Sequence, residues 1–139
     1  VRGVVDYFSD HPDQRGHMTL IAGFKTSHDI LFREDLKRWE KNMDVILTVD
    51  CAEDDVACHV GLVTQYIPQI QLGDVKNTVA IVVGPPAMMR FSVQGLLGIG
   101  IPENNIWISQ ERKMGCGLGK CGHCKIADTY VCLDGPVFN

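Results

Sequence analysis

The sequence predicts an α/β protein: a parallel sheet with helices on both faces, followed by a cysteine-rich C-terminal segment. Three observations predict it. Helical and extended stretches alternate through most of the chain. The extended stretches, such as MTLIAGF, MDVILTVD and NTVAIVVGPP, are continuous apolar runs rather than period-2 patterns, as strands buried on both faces are. Finally, four of the six cysteines fall inside KMGCGLGKCGHCKIADTYVCLDGPVF, from Lys113 to Phe138, among five glycines.

The elements follow in order. Val1 to Asp10 carries apolar residues at 1, 4, 5, 7 and 8, a helical stripe closed by the breakers of HPDQRG. Met18–Phe24 reads as a buried strand. Ser27 to Asn42 reads as a helix, with Ser27 as a candidate N-cap, and Ile30, Leu31, Leu36 and Trp39 as its apolar face. Met43–Asp50 is a second strand. The acidic loop CAEDDVAC then leads into Val60–Ile67, read as a short helix stopped by Pro68. Asn77–Pro86 is a third strand, ending in a glycine-proline turn. Ala87–Gly100 is a helix, and Asn104–Gln110 a fourth strand. In such sheets ligands bind outside the carboxyl ends of the strands. The turns at 23–27, 50–55 and 84–89 are therefore the places to watch. A doubly wound nucleotide domain normally opens with a strand and a glycine-rich phosphate turn; this sequence opens with a helix and shows neither.

Composition narrows the class. The chain has 139 residues, 45% hydrophobic and 22% charged, enough to bury a core without disulfide staples. Its net charge of −4 argues against a nucleic-acid or anionic-membrane partner. No apolar run approaches the roughly 20 residues that span a bilayer. VRGVVDYFSD does not read as a secretory leader, and the missing initial Met suggests trimming from a longer chain. The expected compartment is the cytoplasm, where clustered cysteines more often hold metal than form disulfides.

The cysteine spacing is Cys116-x4-Cys121-x2-Cys124-x7-Cys132. Three thiols crowd one loop and a fourth follows, which is the plant-type [2Fe–2S] order. A flat, anionic two-iron rhomb needs close wrapping by backbone N–H groups. Gly115, Gly117, Gly119 and Gly122 remove Cβ atoms that would crowd it and permit the positive φ that lets N–H groups converge. Structural zinc is the alternative, although zinc sites usually show two short-spaced pairs far apart; disulfides are a third reading. His123 reads as solvent-facing. Cys51 and Cys58, beside His59, read as free thiols flanking the acidic loop.

GPPAMM together with the cysteine segment resembles the ferredoxin–NADP reductase superfamily, within it the members carrying a C-terminal [2Fe–2S] segment. These include the gamma subunits of hydrogenases and sulfhydrogenases, a subunit of anaerobic sulfite reductase and the electron-transfer subunit of dihydroorotate dehydrogenase. ERKMGCGLGKCGHC and YVCLDGPVF carry the likeness most strongly. The resemblance implies a ferredoxin-reductase-like NAD(P)-binding domain over 1–111, lacking its first strand, and a [2Fe–2S] segment over 112–139. It implies an oxidoreductase subunit in which NAD(P)H reduces FAD, and electrons pass through the cluster to a partner subunit of hydrogenase, sulfite reductase or dihydroorotate dehydrogenase type. Cys116, Cys121, Cys124 and Cys132 would be the iron ligands. Gly84, Pro85, Pro86 and Met88 would line the nicotinamide and flavin side, with Val83 where the family usually has Cys. Gly23, Lys25 and Thr26 match a segment that holds the adenosine end, and His59-Val60-Gly61 matches a structural turn. No residue need act as a general acid or base. The family's FAD-binding barrel and phosphate turn have no counterpart here, so the fragment alone is expected to be inactive. The reading of another class is a zinc-stabilised α/β interaction module without redox activity.

Overall fold

A computed structural model describes residues 1–51 and 58–139. The acidic loop and the turn at 50–55 fall largely outside those residues. The chain forms two compact units, Val1–Gly73 and Asp74–Asn139.

The first unit begins with helix α1 (Arg2–Asp10), which turns Val5 and Ser9 inward. Strands β1 (Thr19–Thr26) and β2 (Asp44–Cys51) pair in parallel, with Ile21 opposite Ile46 and Gly23 opposite Thr48. The short strand β3 (His59–Val60) extends the sheet beyond β2. Between β1 and β2 lies helix α2 (Arg33–Trp39), shorter than the sequence suggests. Ile30, Leu36 and Trp39 of the expected apolar face are buried, but Leu31 is 60% exposed, because Phe32 adopts a left-handed conformation (φ +55°) that starts α2 afresh. The cap before it is not Ser27. Thr26 caps a 3₁₀ turn over Ser27–Asp29 through a reciprocal capping box with Asp29. The expected helix over 60–67 is absent: Gly61 has φ +131°, and two 3₁₀ turns, Val63–Gln65 and Ile67–Gln69, follow instead.

Val5, Ile30, Leu36, Trp39, Met43 and Val49 form this unit's core, with Val49 fully excluded from solvent. Burying side chains of this size stabilises by about 1.5–3 kcal/mol each. An ionic network clasps α1 to α2. Asp6 accepts a hydrogen bond from the Trp39 indole at 3.0 Å and pairs with Arg38, while Arg2 reaches Asp35 at 2.7 Å.

The second unit contains the parallel pair β4 (Ala80–Val83) and β5 (Ile106–Ser109). Both are shorter than the sequence suggests. Asp74 caps a 3₁₀ turn over Val75–Asn77, and Glu103–Asn105 form another, each consuming residues read as strand. Helix α3 (Pro86–Gly98) follows β4 with Pro at its first turn, where a missing N–H costs nothing.

The cysteine segment has more order than a loop. It holds a hairpin, β6 (Lys125–Ile126) with β7 (Thr129–Tyr130), and a one-turn helix α4 (Val131–Asp134). It ends in β8 (Val137–Phe138), which pairs antiparallel with β5, Phe138 opposite Ile108. The ladder bonds thus run β1–β2–β3 in the first unit and β4–β5–β8 in the second, with β2 and β5 central. No helix among the described residues is long and apolar enough to cross a membrane.

Candidate functional site: paired thiols and a glycine-proline cleft

The four C-terminal cysteines stand as two pairs of free thiols, Cys116 hydrogen-bonded with Cys121 and Cys132 with Cys124. The loop curls around Cys116, whose Sγ accepts from the N–H groups of Leu118 at 3.3 Å, Lys120 at 3.4 Å and Cys121 at 3.4 Å. Gly117 and Gly119, both at φ +68°, and Gly122 at φ +78° make that curl. Gly115 serves space instead, since a Cβ there would meet Cys121 Sγ at 3.3 Å.

These donors act on the thiols' chemistry. The N–H of Leu118, then those of Cys121 and Lys120, hold the Cys116 thiol below its ordinary pKa. The His123 N–H, then the Cys116 thiol, lower Cys121. Cys132 is raised, first by its hydrogen bond to Cys124 and then by burial. An N–H aimed at sulfur favours the thiolate, the form that binds metal. Cys124 is only 2% exposed, which gives the second pair an apolar setting. Among the described residues, no three His, Cys, Asp or Glu side chains gather as they would around a single ion. Two thiol pairs beside converging N–H groups suit a two-centre anionic group. His123 is exposed, as read from the sequence, and its ring lies close to Gly115.

A cleft of about 450 Å³ opens at the carboxyl end of β4. It is lined by Val83, Gly84, Pro85, Pro86, Met89, Gln110 and Glu111. The expected Gly84, Pro85 and Pro86 are there. Met88 is not in the lining: its methyl lies over Gly84, where a Cβ would come within 2.1 Å of it, and its sulfur accepts from Ser92 Oγ at 3.2 Å. Met89, Gln110 and Glu111 were not singled out from sequence. The signal that could have found the last two is their place just past the carboxyl end of β5, beside the glycine-proline turn.

The remaining candidates lie on β1 in the first unit. Gly23 and Lys25 share a face of the strand, and Lys25 is exposed. Gly23 has a packing reason, because a Cβ would come within 2.5 Å of Val63 Cγ1. Thr26 is engaged, its N–H and hydroxyl both donating to Asp29 Oδ2 at 3.0 and 2.8 Å. Gly61 N–H donates to the Val49 carbonyl at 2.8 Å, and the Tyr66 hydroxyl to the Val60 carbonyl at 2.9 Å, which makes the His59–Gly61 turn structural. Cys51 is exposed and Cys58 packs partly against the core.

Comparison with known proteins agrees with this architecture. The oxidoreductase NAD-binding domain family matches residues 1–94, and the iron-sulfur cluster binding domain of dihydroorotate dehydrogenase B matches residues 111–139. The gamma subunit of sulfhydrogenase 1 from Pyrococcus furiosus is 31% identical over 99% of this chain and 50% of its own length. A probable dihydroorotate dehydrogenase B (NAD(+)) electron transfer subunit of the same organism is 51% identical over 86% of this chain and 43% of its own. The chain spans about half the length of the curated relatives it matches. An NADH-dependent reduced ferredoxin-NADP oxidoreductase structure superimposes with a TM-score of 0.64, at 25% identity, over 94% of this chain and 46% of that one. The cytochrome b5 reductase domain of Ulva prolifera nitrate reductase shares the fold, with a TM-score of 0.65 at 20% identity, over 76% of this chain and 41% of that one.

Proposed function

The chain belongs to the oxidoreductase NAD-binding domain family, and from that premise we propose that it is the nucleotide-binding and iron–sulfur part of an electron-transfer flavoprotein subunit. Residues 1–111 form the NAD(P)-binding portion and 112–139 the [2Fe–2S] segment. The observation that carries the reading is the pairing of four thiols around a loop that aims three N–H groups at one sulfur. FAD, when bound, would accept hydride from NAD(P)H, and a [2Fe–2S] group held by Cys116, Cys121, Cys124 and Cys132 would supply one-electron relay.

The chain's own residues bind and position. Cys116 with Cys121, and Cys124 with Cys132, would each furnish two thiolates to the group; the loop N–H groups stabilise the negative charge on Cys116 and Cys121. The cleft at Gly84, Pro85 and Pro86 takes the nicotinamide and flavin side. A backbone without Cβ admits a flat ring there, and the Met88 methyl resting on Gly84 moves aside on a flexible stem. Lys25 and Thr26, beside Gly23, contact the adenosine end. Electrons leave to a partner oxidoreductase subunit of hydrogenase, sulfite reductase or dihydroorotate dehydrogenase type, in the cytoplasm.

Protein purified under strict exclusion of oxygen should be reddish-brown, with visible absorption and an EPR signal once reduced. Iron and acid-labile sulfide should be present in equal amounts. A colourless anaerobic preparation with stoichiometric zinc would overturn the reading in favour of a zinc-stabilised module.

A further inference from the structure

We propose that the rim of the cysteine loop is a docking face for an acidic protein surface, with an apolar centre and a cationic border. This rests on the electron-transfer reading above, and it specifies the chemistry of the partner.

Charge segregation carries the argument. The chain is net −4, yet residues 112–125 hold Arg112, Lys113, Lys120 and Lys125 and no Asp or Glu. All four cations are exposed. Among the described residues no carboxylate pairs with Arg112, Lys113 or Lys120, while Lys125 meets Asp128 at 3.6 Å. The acids that flank this stretch are Glu111, Asp128 and Asp134; Asp128 is engaged by Lys125, and Asp134 accepts from the Tyr130 N–H at 2.8 Å. Unpaired cations left in water cost little, but they project one sign of field from the loop that holds the thiols.

Apolar side chains stand among them. Leu118 is 65% exposed at the tip of the loop, Leu133 59% and Met114 46%. Leu133 leans on Gly119, the residue next to Leu118, its Cδ1 lying 2.3 Å from where a Cβ would be. Cations serving only to offset thiolate charge would need no exposed leucines. An apolar centre bordered by charge is how protein interfaces are built. The matching surface carries carboxylates around an apolar patch, and the charges speed and orient encounter more than they tighten it.

The test uses two haem proteins as probes: soluble cytochrome b5, whose haem edge is ringed by carboxylates, and cytochrome c, whose haem edge is ringed by lysines. Binding to the cluster-loaded chain is followed by NMR titration and calorimetry. From about 0.01 M to about 0.1 M salt the Debye length shrinks from about 30 to about 10 Å. Cytochrome b5 should bind at the lower ionic strength, shift the signals of Leu118 and Met114, and weaken at least about tenfold across that range. Arg112→Glu with Lys113→Glu should weaken it at least about tenfold and create affinity for cytochrome c. Leu118→Ser should weaken cytochrome b5 without changing the salt slope. Equal binding of both probes, affinity insensitive to charge reversal, or no binding at low salt would each overturn the proposal. Visible absorption and EPR of the same samples report separately on the iron–sulfur reading.

Discussion

Gly117 and Gly119 offer a controlled comparison, because both have φ +68° but only one is covered. A Cβ at Gly117 would meet nothing within 4 Å, whereas at Gly119 it would come within 2.3 Å of Leu133 Cδ1 and 3.2 Å of its Cγ. Left-handed backbone costs a non-glycine residue about 1–2 kcal/mol. Gly117→Ala should therefore cost about 1 kcal/mol, about a fivefold shift in the opening of the loop. Gly119→Ala pays the same strain and must also push Leu133 off its rotamer, about 1 kcal/mol more. Its total is about 2–3 kcal/mol, or about 30- to 150-fold. The assay is anaerobic iron release to a chelator, read as loss of visible absorption. Leu133→Ala in the Gly119→Ala background should bring release back towards the Gly117→Ala rate, a coupling that a double-mutant cycle isolates. If Gly117→Ala releases iron faster than Gly119→Ala, the space at Gly117 is filled by the bound group and the packing argument fails.

Cys121→Ser should abolish visible absorption while far-UV circular dichroism of the two sheets persists; collapse of that signal would mean the segment is not peripheral to folding. Asp6→Asn removes the charge that joins the Trp39 indole to Arg38 and Arg2, and should lower stability by about 1–2 kcal/mol in urea melts, less at high salt. An unchanged midpoint would show that the network is idle. Lys25→Gln should weaken NADPH binding about two- to tenfold more than NADH binding if the exposed cation meets a 2′-phosphate. Equal effects on the two nucleotides would remove Lys25 from the adenosine site.

What the sequence reveals here is what is local. The spacing of four cysteines and the glycines between them announce a thiol-lined loop, and positive φ appears at Gly117, Gly119 and Gly122 because only glycine adopts it without strain. The parallel pairing of β1 with β2 and of β4 with β5 follows from uninterrupted apolar runs. The misreadings arise where tertiary structure overrides a local pattern. Apolar periodicity runs through Ile30, Leu36 and Trp39, and all three are buried, yet a left-handed Phe32 divides the stretch with no glycine to mark the break. Gln110 and Glu111 become cleft residues only because β5 lies beside β4. A two-residue strand such as β8 carries no periodicity at all; it exists because an edge of β5 is available to pair with.

That last pairing explains why a glycine-rich segment with little core of its own can be ordered. Only Cys124 and Val131 are buried within it. The segment leaves β5 at Gln110 and returns to β5 as β8, and its neck is closed by the Gln110 N–H donating to the Pro136 carbonyl at 2.8 Å. Closing a loop of about 25 residues costs about 3 kcal/mol of chain entropy by the logarithmic rule. The β5–β8 ladder, the Phe138 ring set against Gly135 and the bonds inside the hairpin oppose that cost before any metal is bound. The glycines can then be free in φ without leaving the thiols adrift, because the freedom is confined between fixed ends. The same neck lies at Gln110 and Glu111, which line the glycine-proline cleft. One strand, β5, thus supports both the wall of the proposed hydride site and the base of the proposed electron exit. Their separation is set by backbone pairing, which tolerates surface substitution far better than side-chain contacts would.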